Sequence, residues 1–421
     1  MKLTGGFVLL VASALTATAA NVKEFGAVGD GLHDDTVAIQ KAIDSGGTVT
    51  VPGGTYLTGT LYLRSNGGLD LAPDAVLKAT TDPAKWNKRD FCPQQAAFPR
   101  AKWSGAHLIA AVCQTNVFLR GGTIDGSGRS FFTDKTHLGA GGRTLLNENE
   151  TFRPAQMVYF VDCADVRVTD VNLRNSAYWN LFLHGCESVL VRGLDIRSAH
   201  DIGEDDGIDI DCCRRVTVSD CLIDVGDDGI TLRANPKGLL SPKPCEAVVV
   251  NNCVVRSGYA HAFRIGVGSG VIRNCVISDI VLDRTRGGIH ICPLYRGGEG
   301  RTGVDISDLS IRNVRGDAIC YLFVRHDYKF VKTGEEFAGV LRNISFSGLS
   351  GTSRLPLTVV GNGRGEISGI RFSDCDLMVG LQPGETDDPG DRQFFMFKDE
   401  TGLWLERNAE IVRENVCVRP R

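Results

Sequence analysis

Long apolar runs and charge imbalance are both missing from most of this 421-residue sequence. Each absence removes a class of function. Beyond the first twenty residues no stretch approaches the roughly 18 apolar positions that a membrane helix needs, so no membrane span is expected there. Lys and Arg number 46 against 50 Asp and Glu, a net charge of −4. Without a basic surplus there is no electrostatic footprint for nucleic acid. Heptads, low-complexity tracts and a propeller-type signature are absent too, which removes the coiled coil and the propeller as organising principles.

What the sequence does have is glycine, 50 residues of it, set with Asp and Asn beside short apolar runs. That mixture signals many tight turns between short strands, an all-β chain. The start, MKLTGGFVLLVASALTATAA, places Lys2 before an apolar stretch and small residues at 17–20, the layout of a secretory signal peptide over 1–20. Residues 21–421 are then expected to be exported as a single domain, because elongated repeat folds lengthen without splitting their core. Fourteen cysteines in an exported chain invite a disulfide framework. Their positions argue otherwise. Cys221, Cys253, Cys275 and Cys375 fall in a slot filled elsewhere by Val171, Leu194, Leu309 and Leu349. Most thiols are therefore expected to be unpaired core, with one or two bridges left open.

Cys163, Cys186, Cys213 and Cys245 open successive similar units, 23, 27 and 32 residues apart. Apolar residues alternate within each unit, break at a turn and alternate again, giving two or three short strands per unit. No unit has room for a crossover helix, so a parallel β-helix is the solenoid that fits. The segment from about 21 to 86 differs. Asp34 or Asp35 can cap a helix that turns Val37, Ile39, Ala42 and Ile43 inward and stops at Gly46-Gly47, covering the N-terminal end of the solenoid. Residues from about 383 to 421 are expected to form a C-terminal cover.

Two acidic stretches lie in the same phase of this repeat, EDDGIDIDCC from Glu204 and GDDGITLRA from Gly226. Registered on their apolar positions, Leu181, Ile208, Ile230, Phe263 and Ile289 make one inward row. The residues two before form a column of Trp179, Asp206, Asp228, His261 and Gly287; those one after, Phe182, Asp209, Thr231, Arg264 and His290, point outward by alternation. Neighbouring coils are about 4.8 Å apart, so the carboxylates of Asp206 and Asp228 are stacked at a cost in repulsion. Such a cluster either holds a cation or runs acid and base chemistry from carboxyl groups whose pKa values are pushed apart. An aromatic end, acids in the middle and His and Arg beyond suit an oligosaccharide.

Together the opening EFGAVGDG to VPGGTYLTGTLYL, the block SAYWNLFLHGCESVLVRGLDI, the two acidic motifs and HAFRIG from His261 resemble the polygalacturonase-type glycoside hydrolases, family 28. The resemblance implies a right-handed parallel β-helix that acts on a pectin-like polysaccharide; the chain is expected to be a monomer that uses no metal or cofactor. It puts Asp206 third in an Asn-Thr-Asp motif, here preceded by Glu204 and Asp205, and makes Asp227 and Asp228 the Asp-Asp pair. His261 takes the Gly-His-Gly position between Ala260 and Ala262. Where the family has Arg-Ile-Lys this chain has Ile289, His290 and Ile291, so that motif is absent. By resemblance Asp227 is the acid, Asp206 and Asp228 hold the attacking water, His261 tunes the acid, and the reaction inverts. Arg264, Arg286, His290 and Arg296 are candidates to grip a substrate carboxylate in place of the missing motif, with Trp179, Tyr178 and Asp209 completing the substrate contacts. Two alternatives stay open: a Ca²⁺-dependent polysaccharide lyase in which Arg264 removes a proton, and a β-helix that binds a glycan without cutting it.

Overall fold

The short alternating runs wind into a right-handed parallel β-helix in the computed structural model, which describes residues 19–96, 105–138, 144–148, 152–293, 303–326, 339–361, 363, 366–381 and 402–421. Residues 1–18 of the stretch read as a signal peptide, Arg296 and all of 383–401 lie outside the described residues. Strands of successive coils pair in parallel and in register, so like positions stack into columns. One inward column runs Val49, Leu69, Leu119, Val168, Val191, Val218, Val250, Ile277, Ile311, Phe346 and Phe372. All of these are buried, and burying such a side chain stabilises the fold by about 1.5–3 kcal/mol.

The Asp and Asn content has a specific use in this winding. Asp170, Asp220, Asn252, Asp279, Asn313 and Asp374 all have φ between 50° and 58°, and Gly193 and Gly348 take the same place in their own coils. Each precedes an inward residue at a corner of the coil. That left-handed conformation is least costly for Gly, Asn and Asp. The stacked side chains then bond to one another, as Asn252 Nδ2 does to Asp220 Oδ1 (2.5 Å) and Asn313 Nδ2 to Asp279 Oδ1 (3.0 Å).

None of the fourteen cysteines forms a disulfide, and twelve of them are buried. The slot read for them divides in two, however. Cys253 pairs with Ile280, while Cys275 pairs with Leu309 on a different ladder. Both ladders place an Asp or Asn before an inward apolar residue at a corner, so their sequences look alike although they occupy different corners.

Helix α1 (Thr36–Asp44) buries Ile39, Ala42 and Ile43 in the same core as the first coils. Val37 does not join them and is 61% exposed; at 100° per residue it sits roughly 200° around the helix from Ile39. The Asp34 carboxylate accepts from the Thr36 N–H (3.1 Å) at the helix start. Asp35 instead accepts from the N–H groups of Val28 and Gly29 and ties down the preceding loop. At the far end Trp404–Arg407 and Ile411–Pro420 pair in parallel with Leu357–Val360 and Ile367–Val379, so the described part of the C-terminus continues the coil.

Candidate active site

Five strands stacked in successive coils carry the acidic motifs and their neighbours: β1 (Leu181–His184), β2 (Ile208–Asp211), β3 (Ile230–Ala234), β4 (His261–Gly268) and β5 (Val271–Ile291). Leu181, Ile208, Ile230, Phe263 and Ile289 pair in one column, with Phe182, Asp209, Thr231, Arg264 and His290 beside them. The coils approach very closely just before β2 and β3. A Cβ on Gly207 would meet the Gly229 carbonyl oxygen at 2.4 Å, and one on Gly229 would meet the Ala262 oxygen at 2.7 Å. Glycine at both places lets Gly207 N–H bond the Asp228 carbonyl and Gly229 N–H bond the His261 carbonyl. Asp206, Asp228 and His261 are thereby stacked.

One oxygen from each of Asp206, Asp227 and Asp228 lies within 4.8 Å of the other two. Three converging carboxyls could hold a hard cation or a water. Asp206 is buried, whereas Asp227 and Asp228 reach solvent in part. Their surroundings drive them apart. Burial, with Asp209, Asp227 and Asp228 nearby, pushes the Asp206 pKa well up. Burial and then the charge of Asp228 do the same to Asp227, against a hydrogen bond from Tyr259. Burial raises Asp228 as well, but the hydrogen bonds from His261 together with the charge of Arg264 outweigh it and hold Asp228 below the ordinary carboxylate range.

Hydrogen bonds assign the partners differently from expectation. Asp228 Oδ1 accepts from His261 Nδ1 (2.9 Å) and from the His261 N–H (3.1 Å). The group on Asp227 is Tyr259, whose hydroxyl donates to Oδ2 at 2.5 Å and accepts from the Glu204 N–H. Asp205 is fully buried and accepts from the N–H groups of Gly226 (2.7 Å) and Asp227 (2.9 Å), clamping the loop that carries the acid pair.

The outward row does point away from the core, yet it is covered. Asp209 is buried and accepts from Thr231 Oγ1 (2.5 Å) and Arg233 Nη1 (3.2 Å). Arg233 also lies 4.4 Å over the Trp179 ring, which stacks on Tyr178 at 5.0 Å. Trp179 is itself buried, with only 9% of its surface exposed. Tyr178 is buried, with the Arg153 guanidinium 5.2 Å from its ring. Arg264, Arg286 and His290 are buried beside His261, and His290 Nδ1 is 2.7 Å from His261 Nε2. The sequence singles out neither Arg233 nor Tyr259, and Asp205 only as a departure from a motif. Tyr259 and His261 share parity two residues apart, which is the one signal that could have found it; Arg233 gave none beyond standing three residues after Ile230.

Residues 78–388 match glycosyl hydrolases family 28, and residues 19–81 match a rhamnogalacturonase A/epimerase, pectate lyase-like family. A probable polygalacturonase of Vitis vinifera is 29% identical over 315 residues, 71% of this chain and 60% of that protein. A polygalacturonase of Chamaecyparis obtusa is 28% identical over 224 residues, 51% and 40% of the two chains. The chain thus spans 60% and 40% of the length of these relatives. Among solved structures, an exopolygalacturonase of Thermotoga maritima superposes with a TM-score of 0.68 at 20% identity, covering 96% of this chain and 92% of that one. A polygalacturonase of Erwinia carotovora gives 0.61 at 18% identity, covering 94% and 96%. At those identities the structures speak for the fold alone.

Proposed function

The chain belongs to glycosyl hydrolases family 28, and from that premise we propose that it is an exported hydrolase of glycosidic bonds in a pectin-like polysaccharide, of galacturonan or rhamnogalacturonan type. The observation that carries the reading is the divergence of two adjacent carboxyls. Asp227 is pushed up by burial and by Asp228, while Asp228 is held down by His261 and Arg264 despite its burial. Protonated and ionised carboxyls side by side are what glycoside hydrolysis requires, one to protonate the leaving oxygen and one to activate water.

In this mechanism Asp227 gives its proton to the glycosidic oxygen. The carboxylate left behind is met by the Tyr259 hydroxyl and the Asp228 N–H, which already bond its two oxygens. Asp228 and Asp206 hold the water that attacks the anomeric carbon. The cluster is more compact than the roughly 6.5–9.5 Å that inverting enzymes commonly leave between acid and base, so inversion rests on the family resemblance. The anomer first released, followed by proton NMR, decides it.

The test is to digest a panel of pectic and other polysaccharides, identify the released sugars and repeat with Asp227→Asn. The asparagine keeps the shape and cannot supply the proton. Loss of hydrolysis with an unchanged circular dichroism spectrum is expected; near-normal turnover would remove Asp227 from the role of acid. Activity should also survive excess EDTA without an ultraviolet-absorbing unsaturated product. Loss on chelation, restored by Ca²⁺ and accompanied by that absorbance, would promote the lyase reading, and cleavage of no substrate would promote glycan binding.

A further inference from the structure

Behind His261 stands a second buried imidazole to which the acid and base assignments give no role. His290 follows Ile289 on β5, in the row with Arg264, and is 1% exposed. Its Nδ1 lies 2.7 Å from His261 Nε2, and the two rings meet edge to face at 4.1 Å. Phe323 of the next coil packs against the His290 ring at 4.4 Å, nearly perpendicular to it.

The hydrogen bonds limit where the protons can be. Asp228 Oδ1 faces both the backbone N–H and Nδ1 of His261, and an ionised carboxylate only accepts, so His261 Nδ1 carries a proton. Two ring nitrogens at 2.7 Å share one proton between them. A neutral His261 with its proton on Nδ1 has a lone pair at Nε2, so the shared proton belongs to His290 Nδ1. The other arrangement makes His261 a cation. Asp228 favours a cation at His261 through its hydrogen bond and its charge, but burial, aided by the charges of Arg264 and Arg286, prevails; at His290 burial and the charges of Arg264 and Arg325 oppose a cation as well.

We propose that His290 is a positioning residue that donates from Nδ1 to His261 Nε2, locks His261 in its Nδ1–H tautomer and so keeps a donor aimed at Asp228. This deepens the hydrolase reading and rests on Asp228 being the carboxylate that holds water. Without the lock a neutral His261 is free to move its proton to Nε2. It would then turn a lone pair toward the carboxylate and repel it from the position its two donors define. The family's Arg-Ile-Lys position thus holds a group that acts through His261.

His290→Asn and His290→Leu separate the idea from simple packing. Asn Nδ2 takes the place of His Nδ1 and can donate; Leu has a similar volume and no donor. The tautomer of His261 is read from ¹⁵N-histidine NMR of the resting, full-length protein, with His261→Gln used only to assign the signal. Wild type and His290→Asn should show Nδ1–H alone, and His290→Leu a mixture of tautomers. On the polysaccharide that the wild type cleaves, kcat of His290→Leu should fall about 10- to 100-fold with KM nearly unchanged, while His290→Asn stays within a few-fold of wild type. Nδ1–H alone in His290→Leu, or equal kcat for Leu and Asn, overturns the proposal. Should the Leu protein not fold, His290→Asp replaces it: an acceptor at that place should draw a proton onto Nε2, and a bare Nε2 there is the overturning result. If no polysaccharide is cleaved by the wild type, the hydrolase reading falls, while the tautomer spectra still decide whether His290 sets His261.

Discussion

Neutralising Asp209 should remove a large part of the protein's loss of stability with rising pH. Asp209 is fully buried, and its Oδ1 accepts from Thr231 and Arg233. Burial nevertheless prevails over those two partners and, with Asp228 and Asp211 adding repulsion, lifts the pKa from 3.8 to about 7. In the unfolded chain the proton leaves near the ordinary value, and in the folded chain it leaves near 7. Between those values the folded state binds more protons, so this contribution to stability is fully present below about 4 and is lost as pH rises toward 7. A difference of roughly three in pKa corresponds to about 4 kcal/mol. Asp209→Asn keeps an oxygen for the Thr231 hydroxyl and never ionises. Urea unfolding of both proteins, followed by circular dichroism at intervals from pH 4 to 8, should show the variant gaining on wild type by about 4 kcal/mol across that range. A difference that stays flat, or a wild type that gains on the variant as pH rises, would mean that the Arg233 ion pair outweighs desolvation and that Asp209 is already ionised at pH 4.

The fold was legible because its periodicity is local. Alternation at the strand positions fixes which residues face inward, and the column Leu181, Ile208, Ile230, Phe263 and Ile289 pairs in the structure as the spacing required. The cysteine slot was misread for the same reason, because two corners of the coil repeat the same Asp or Asn followed by an apolar residue. In the site, the stacking of Asp206 and Asp228 followed from phase alone. What phase does not give is the third dimension outside the coil. Alternation put Asp209 and His290 on the outer face, and that is where they are; it could not tell that Arg233 and the neighbouring rings cover that face. Hydrogen-bond direction was equally hidden, since one backbone step decides whether His261 bonds Asp227 or Asp228. Glu204 and Asp205 registered only as departures from a motif, yet Asp205 clamps the acid-bearing loop and the Glu204 N–H fixes the Tyr259 hydroxyl.

Tyr259→Phe removes a donor that stabilises the Asp227 carboxylate, so the alkaline limb of activity should move to higher pH and kcat should fall about tenfold; a pH–rate profile with that limb unmoved would separate Tyr259 from the acid. Arg233→Met strips the ion partner from Asp209 and Asp211 and should cost about 3–5 kcal/mol at pH 8. At pH 5 the cost should be smaller, because Asp209 is then protonated, and equal losses at both pH values in urea titrations would contradict that. Gly229→Ala tests why each acidic motif is followed by glycine. An added Cβ would lie 2.4 Å from Val255 Cγ1 and 2.7 Å from the Ala262 carbonyl oxygen, one contact with a stiff core side chain and one with backbone. Neither yields without separating the Asp228 coil from the His261 coil. Overpacking of this kind costs about 1–3 kcal/mol, and a displacement of about 1 Å at a reacting group can cost roughly 10²-fold in rate. The variant should therefore fold with a lowered urea midpoint and lose far more activity than stability. A protein that keeps its rate while losing stability would show that the approach of these two coils serves the fold alone and that the spacing of Asp228 and His261 does not govern the chemistry.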